Sequence, residues 1–393
     1  MRKFIILILL SLNLVQICFA IEKINDFPSE KEYFNQPEDK INIAEGALII
    51  ARGYYPELDI HAYIRQIETM TNTLKVKLKN TEKASDTVRV INNYFLTEKQ
   101  FKSQNNIHFL NELLDKKCGN CVALASLYLA VAERLNLPFY GVFAPNHVFI
   151  RYEDKNAKIN IDVASQGQIF ADSWIVKKLN INPASVKKGV YLRNLNKKEF
   201  FAGLLNNRGV ACKQNAKYDQ AIASYTSAIE MFPEYADAWF NRGIAFKDTK
   251  QNDKAIQDFS KAVAIDPAHN RAYNNRGNIY IRQKRYDLAI ADFSNCIRIA
   301  PDYALAYLNR GTAYNVNGQY NKAISDFNKT LKLDPDNFVA CIKKALSCEK
   351  VGCTKEAIEA YKKFIKYAPS QYANYVKQAE NRIKQLETVA SFQ

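Results

Sequence analysis

The chain has 393 residues, of which 48% are hydrophobic, and carries a formal net charge of +15 at pH 7. This composition excludes a wholly disordered chain, and the length predicts two domains or more. The basic residues are spread along the sequence and no nucleic-acid-binding motif accompanies them, so the charge predicts a solvated basic surface and no nucleic-acid partner.

The first 20 residues, MRKFIILILLSLNLVQICFA, combine two basic residues, an apolar run and a final small residue, Ala20. This pattern is typical of a secretory signal peptide. The apolar run is shorter than the ~20 residues that a membrane-spanning helix needs. We therefore expect cleavage after Ala20, export to a periplasmic or extracellular space, and no membrane span in the mature chain.

Residues 21–45 predict an irregular lead-in, and residues 46–200 predict a mixed α+β domain. Helical patterns cover residues 43–74 and 87–95. The stretch KCGNCVALASLYLAVAERLNLP then breaks at Gly119 and Asn120. It predicts a helix that begins at Cys121 and is apolar on nearly every face. Such a helix belongs at the centre of a domain.

Three strand-like segments follow this helix, at residues 139–144, 147–152 and 158–164. A polar four-residue turn at 153–156 would place Tyr152 opposite Ala157 and, in the same register, His147 opposite Asp162. Paired residues on an antiparallel hairpin point to one face with Cβ atoms about 4.5 to 5.5 Å apart. A thiol packed against that face would complete a nucleophile, a base and an orienting acid.

The pattern of a Gly-x-Cys that opens a buried helix, a His that leads a strand and an Asp on the next strand resembles the transglutaminase-like, papain-fold superfamily. Its bacterial SirB-type branch, often fused to tetratricopeptide repeats, is the most similar. The resemblance implies a nucleophile at Cys121, a general base at His147 and an orienting acid at Asp162, without a cofactor. The chain departs from the pattern at Asn146, where Gly is common, and at Val163, where Pro is common.

Other interpretations of the two cysteines remain open. A thiol–disulfide centre would make Cys118 the reactive residue and leave His147 and Asp162 idle. A zinc site would need more ligands, and no second C-x-x-C is present, so we predict no metal. If the site is catalytic, the amide of Cys121 is one oxyanion donor, and the second has two candidates, Gln166 and Gln168.

From residue 202 onward the sequence repeats with a period of 34. The motif Asn-Arg-Gly recurs at 207–209, 241–243, 275–277 and 309–311, and Ala and Pro keep the same spacing further along each repeat. This resembles the tetratricopeptide repeat. Five repeats at 202–371 predict an all-α solenoid, and residues 372–393 predict a capping helix and tail.

Four asparagines share position 6 of their repeats, near the expected groove: Asn207, Asn241, Asn275 and Asn309. Each amide offers a donor and an acceptor, so they are candidates to hold a protein or peptide ligand. Hydrogen bonding between repeats is the alternative. Most repeat cysteines occupy packing positions, whereas a disulfide between Cys348 and Cys353 is conceivable.

Two functions therefore follow from the sequence. The first is an exported thiol enzyme that hydrolyses, deamidates or transfers amides and binds its protein substrate through the repeats. The second is a non-catalytic interaction protein, because many members of the SirB-type branch lack the cysteine.

Overall fold

The structure, a computed structural model, describes residues 27–390. The predicted signal peptide at 1–20 therefore lies outside the described residues. The chain divides into two compact units, one that ends at Thr249 and one that begins at Lys250. Among the described residues, no helix has both the length and the apolar character needed to cross a membrane.

The first unit begins with helices that surround one central helix. In chain order they are α1 Glu30–Phe34, α2 Ile43–Arg52, α3 Ile60–Lys77, α4 Ala84–Asn92, α5 Leu110–Lys116, α6 Cys121–Arg134, α7 Asp172–Lys178 and α8 Pro183–Lys187, with a π-helical turn at Asn93–Glu98. Every residue of α6 from Val122 to Ala132 is buried. Helices α2 and α3 and the sheet all contact α6. The prediction of a central helix that is apolar on nearly every face is confirmed.

Two small sheets accompany these helices. Strands β1 Lys102–Ser103 and β2 Cys118–Gly119 pair in parallel, and an antiparallel sheet has the order β3 Phe139–Ala144, β4 His147–Glu153, β5 Lys158–Asp162, β6 Gln168–Phe170. The sequence predicted β3, β4 and β5, although β5 ends two residues before the expected Ala164. It missed β6, because three residues are too few to show an alternating pattern.

The predicted register between β4 and β5 is wrong by two residues. Ile150 pairs with Ile161, which by extension places Asp162 beside Phe149. The turn is tighter than predicted because the Asp154 side chain accepts hydrogen bonds from the amides of the next residues, Asn156 at 2.7 Å and Ala157 at 2.8 Å. An even shift leaves every side chain on its original face, so His147 and Asp162 still share one face as diagonal neighbours.

The lead-in is more ordered than predicted. Helix α1 begins with a capping box in which Ser29 and Glu32 bond reciprocally. The Tyr33 and Phe34 rings are buried, and Phe34 lies 4.9 Å from Phe201, centroid to centroid. Two buried aromatic residues within an otherwise polar segment do not produce the periodic pattern of apolar residues by which a helix is recognised in a sequence.

Helices, most of them paired in hairpins, occupy most of the remaining described residues, up to Ala390. The first unit holds α9 Lys197–Gln214, α10 Tyr218–Met231 and α11 Ala236–Asp248; the second holds α12 Asn252–Ile265, α13 Asn270–Arg282, α14 Tyr286–Ile299, α15 Ala304–Val316, α16 Tyr320–Leu333, α17 Phe338–Lys350, α18 Thr354–Tyr367 and α19 Ala373–Ala390. The predicted boundary at 200–202 falls inside α9, because Phe200 and Phe201 belong to the core of the first unit.

Arginines of the Asn-Arg-Gly motif form buried ion pairs within the second unit. The Arg276 guanidinium donates to both oxygens of Asp292, at 2.8 and 2.7 Å, and to the Ser260 hydroxyl at 2.8 Å. Only 15% of the Arg276 side chain and 6% of the Asp292 side chain are exposed. The bidentate ion pair joins the two helices of one hairpin, and the bond to Ser260 joins this hairpin to the preceding repeat.

Replacement of Asp292 by Ala is expected to lower the stability of the second unit by about 3 kcal/mol, because it leaves a buried guanidinium without a counter-charge. The urea unfolding midpoint measures the effect. The matched control is Glu387→Gln, which breaks the exposed pair between Lys362 and Glu387 and should leave the midpoint unchanged. Equal midpoints for the two variants would contradict this assignment.

Candidate functional site

The Cys121 thiol lies at the first residue of the central helix α6. Asn120 caps this helix, and its Oδ1 accepts a hydrogen bond from the Ala123 amide at 3.0 Å. Gly119 lies in a tightly packed position, since a Cβ there would lie 3.0 Å from Leu113 Cδ1 and 3.1 Å from Ala123 Cβ. The positive end of the helix dipole therefore faces the thiol.

His147 begins β4 and approaches the same point from the sheet. The preceding turn places Asn146 in the left-handed region at φ 55°, which explains why Gly is common there and why Asn is tolerated. The ring Nε2 lies 3.1 Å from Asp162 Oδ1. The two atoms are close enough for an ion pair. They are not aligned for a hydrogen bond, and Nε2 has no hydrogen-bond partner among the described residues.

Asp162 ends β5 and is 2% exposed. Its Oδ1 accepts from the amides of Ala164 at 3.1 Å and Ser165 at 3.2 Å, and its Oδ2 accepts from the Ser165 hydroxyl at 2.9 Å. Burial raises the pKa of Asp162, but the contacts with His147 and Ser165 outweigh burial and lower the pKa below its ordinary value. The carboxylate is therefore ionised and held in one orientation at neutral pH.

The His147 ring lies between this carboxylate and the Cys121 thiol. Burial lowers the pKa of His147, whereas the close contacts and charge interactions with Asp162 and Cys121 raise it, and the net result is a pKa of about 9. An imidazolium is therefore the main form at neutral pH. Cys121, His147 and Asp162, which are distant in sequence, lie together at one point of the first unit.

All seven cysteines in the described part of the chain are free thiols. This includes Cys348 and Cys353, so the conceivable disulfide between them is not formed. Cys118 lies in β2, paired with Lys102. Among residues 27–390, no three or more His, Cys, Asp or Glu side chains are arranged to hold a metal ion.

A cleft of about 840 Å³ flanks the site. Its lining includes Val163 and Ala164, which follow Asp162 directly, and Lys102 and Ser103, which pair with the strand before Cys121. Of the two glutamines considered as oxyanion donors, Gln168 pairs with Asp162 and therefore shares its face of the sheet. Gln166 lines the cleft from a turn with φ 55°.

The four asparagines at position 6 of the repeats have different surroundings. Asn241 donates to Asn206 Oδ1 and Asn309 donates to Asn274 Oδ1, both at 2.9 Å. These are the bonds between successive repeats that the sequence left open as an alternative. Asn275 donates to a carbonyl oxygen of its own helix. Asn207 is 6% exposed and bonds to Asn120 and His108. A ligand could reach it only by displacing those contacts.

Sequence reasoning missed the proximity of three residues to Cys121. His108 and Asn207 are hydrogen-bonded neighbours of Asn120. Tyr235, from the first repeat hairpin, stacks on Phe143 with ring centroids 4.6 Å apart. Burial raises the pKa of Tyr235 well above its ordinary value, and the charge of Cys121 adds to this increase. The 34-residue period assigned Asn207 and Tyr235 to the repeats and so concealed their proximity to the thiol.

Comparison with known families agrees with this architecture. A family model described as transglutaminase-like superfamily matches residues 61–206. Models described as tetratricopeptide repeat match residues 208–270, 271–303 and 304–337. The prediction of a transglutaminase-like domain followed by tetratricopeptide repeats is confirmed, while the SirB-type branch stays a prediction. The fifth predicted repeat lies beyond the matched residues.

Individual relatives match parts of the chain. A UPF0162 protein of Xylella fastidiosa is 24% identical over 120 residues, which are 29% of this chain and 43% of that protein. The chain thus spans less than half the length of this curated relative. Among solved structures, MamA from Desulfovibrio magneticus RS-1 is 24% identical with a TM-score of 0.41 over 43% of this chain and 96% of its own. YrrB, described as a TPR protein with an unusual peptide-binding site, is 18% identical with a TM-score of 0.41 over 45% and 92%.

The raised pKa of His147 predicts a pH-dependent stability. Because the folded-state pKa of about 9 exceeds the ordinary value of 6.5, the ring stabilises the fold fully below pH 6.5, and this contribution is lost as the pH rises through 9. The wild-type chain should therefore exceed His147→Gln in unfolding free energy by at most about 3 kcal/mol at pH 6 and by much less at pH 9.5. Urea titrations at both pH values measure the difference. A constant difference from pH 6 to pH 9.5 would show that the ring is not held as an imidazolium.

Proposed function

We propose that this chain, in which a transglutaminase-like domain is followed by tetratricopeptide repeats, is an exported thiol enzyme that acts on amide bonds of a protein substrate. Cys121 is the nucleophile, His147 the general base and acid, and Asp162 the residue that orients the ring. One observation carries the proposal: the His147 ring contacts the Cys121 thiol while its Nε2 lies 3.1 Å from Asp162 Oδ1.

In the acylation step, the Cys121 thiolate forms a bond to the amide carbonyl carbon. The imidazolium of His147 gives its proton to the departing nitrogen, the C–N bond breaks, and ammonia or an amine leaves. A thioester remains on Cys121. The developing oxyanion is held by backbone amides at the start of α6, since no acceptor among residues 27–390 takes up the amide protons of Cys121 or Val122.

The thioester is then resolved by a second nucleophile. His147, now neutral, removes a proton from water or from an amine as this nucleophile attacks, and the Cys121 thiolate leaves. Water yields a carboxylic acid, which is hydrolysis or deamidation. An amine yields a new amide, which is cross-linking. Asp162 keeps its charge throughout and stabilises each imidazolium that forms.

The cleft beside the site supports a protein substrate. Its lining includes the cationic side chains of Arg89 and Lys102 together with the apolar side chains of Val163 and Ile169. A polypeptide segment, which offers both acceptor oxygens and apolar side chains, fits such a lining. Export is part of this proposal on the basis of the first 20 residues alone.

The alternative is an interaction protein whose first domain has no catalytic role. A cleft of about 700 Å³ in the second unit favours it. Mainly apolar and aromatic side chains line this cleft, and two of them are strongly exposed, Leu346 at 49% and Tyr375 at 59%. Exposed apolar side chains around a concave surface are typical of a protein-binding site.

Thiol labelling tests the catalytic proposal. At pH 7, iodoacetamide should modify Cys121 at least about tenfold faster than Cys118, because only Cys121 has an imidazolium partner. His147→Ala should slow the Cys121 reaction by about tenfold or more. Peptide mapping by mass spectrometry measures both rates in the same molecules. His61→Ala, at a histidine outside the site, is the matched control and should change neither rate.

Labelling of Cys121 no faster than Cys118, without dependence on His147, would contradict the catalytic proposal. The interaction-protein alternative then predicts that a partner captured by the wild-type chain is retained equally by Cys121→Ala, and that no ammonia is released from the partner's amides.

A further inference from the structure

The first repeat helix, α9, reaches the start of the thiol-bearing helix α6. Asn207 on α9 accepts a hydrogen bond through its Oδ1 from Asn120 Nδ2 at 2.8 Å. Its own Nδ2 donates to the backbone oxygen of His108 at 2.6 Å. The three residues are buried, with exposures of 6% for Asn207, 9% for Asn120 and 6% for His108. A repeat residue therefore contacts the residue directly before Cys121.

The side-chain amide of Asn120 makes two hydrogen bonds, and both depend on which way the amide is turned. As the cap of α6, it must direct its Oδ1 to the Ala123 amide, which it accepts at 3.0 Å. Its Nδ2 then points into the protein, where an unpaired donor would be costly. Asn207 Oδ1 provides the shorter contact, at 2.8 Å, and His108 Nδ1 lies farther from the same donor, at 3.3 Å. The contact with Asn207 thus fixes which end of the Asn120 amide faces the helix.

The orientation of Asn120 matters for the chemistry at Cys121. While Asn120 Oδ1 is bonded to Ala123, the two earlier amides of α6, at Cys121 and Val122, remain available to an oxyanion. A rotated cap would allow the first turn of α6 to fray. The thiol would then move relative to His147, which is held by the sheet and not by α6.

Helix α9 also contacts both nitrogens of the His108 ring. His108 Nδ1 lies 3.1 Å from Asn207 Oδ1, and His108 Nε2 lies 3.0 Å from Gln214 Oε1. Further along the first repeat hairpin, Tyr235 stacks on Phe143 of β3, the strand beside His147. The first hairpin therefore contacts the helix that carries Cys121 and the strand that pairs with β4.

We infer that Asn207 is a positioning residue for Cys121, so that the first repeat is part of the thiol site as well as of the repeat array. The inference rests on the proposed function and adds a residue outside the Cys–His–Asp set. Asn207 touches neither the substrate nor the thiol; it acts through Asn120. Among the described residues at position 6, Asn309 offers the contrast, because it bonds only within the repeats, to Asn274.

The test measures the rate of Cys121 alkylation per folded molecule in the full-length chain, with Cys118 in the same molecules as an internal reference. Asn207→Ala should lower the Cys121 rate about tenfold, because a small displacement of one reacting group is enough for such a loss. Asn309→Ala is the matched control and should stay within about twofold of wild type. Circular dichroism in urea gives the folded fraction of each variant.

A second variant separates positioning from general destabilisation. Asn120→Ser keeps a good helix cap for Ala123 but removes the Nδ2 donor to Asn207. Because a Ser hydroxyl caps the helix without an amide to orient, Asn120→Ser should keep the Cys121 rate within about threefold of wild type, and Asn207→Ala should cause little loss in the Asn120→Ser background. A loss of about tenfold from Asn207→Ala in the Asn120→Ser background would mean that Asn207 does not act through Asn120 and would overturn the inference.

The outcomes distinguish this inference from the function on which it rests. If Cys121 is rapidly alkylated in wild type and equally so in Asn207→Ala and Asn309→Ala, the positioning role is overturned and the thiol enzyme stands. A rate that falls only in proportion to the folded fraction also overturns it. If wild-type Cys121 is no more reactive than Cys118, the proposed function itself fails.

Discussion

The site depends on the burial of helix α6 on every side. A helix with apolar residues around its whole circumference is stable only when other elements enclose it, and Val122 to Ala132 are all buried here. The enclosure fixes the position of its N-terminus, so Cys121 has a defined place relative to the sheet. The sheet carries both His147 and Asp162. Asp162 orients the His147 ring, which meets the thiol at the positive end of the helix dipole. Packing thereby determines electrostatics: the same burial that excludes water also strengthens the interactions that hold the ring as an imidazolium.

The sequence was sufficient for much of this, and its failures have physical causes. The central helix, three strands, the repeat hairpins and the proximity of His147 to Asp162 follow from periodicity and from the alternation of strand faces. The register of β4 and β5 does not, because the Asp154 carboxylate selects a tighter turn than residue counting suggests. The prediction of a shared face survived because the error was an even number of residues. Asn207 and His108 were beyond reach, since their contacts join residues 99 positions apart and no local pattern encodes such a pairing.

The relation between domain and repeats is therefore closer than the sequence suggested. The 34-residue period draws a boundary near residue 202, whereas α9 begins at Lys197 and packs its first turns into the core of the transglutaminase-like domain. Its amides continue the polar contacts of that domain at Asn120, and Tyr235 extends the aromatic packing of Phe143. A repeat that is shared in this way packs into the core of the domain and is also the first of the tetratricopeptide repeats.

The central claim is that the His147 imidazole is held as a charged partner of the Cys121 thiol. Nitrogen chemical shifts of ¹⁵N-labelled histidine, followed by NMR from pH 5 to pH 10 and assigned with His147→Gln, test it directly. The account predicts that His147 titrates near pH 9 and that Cys121→Ala moves the titration toward lower pH. A titration near pH 6.5 that is unchanged in Cys121→Ala would contradict the account, because the ring would then not interact with the Cys121 thiol at the N-terminus of α6.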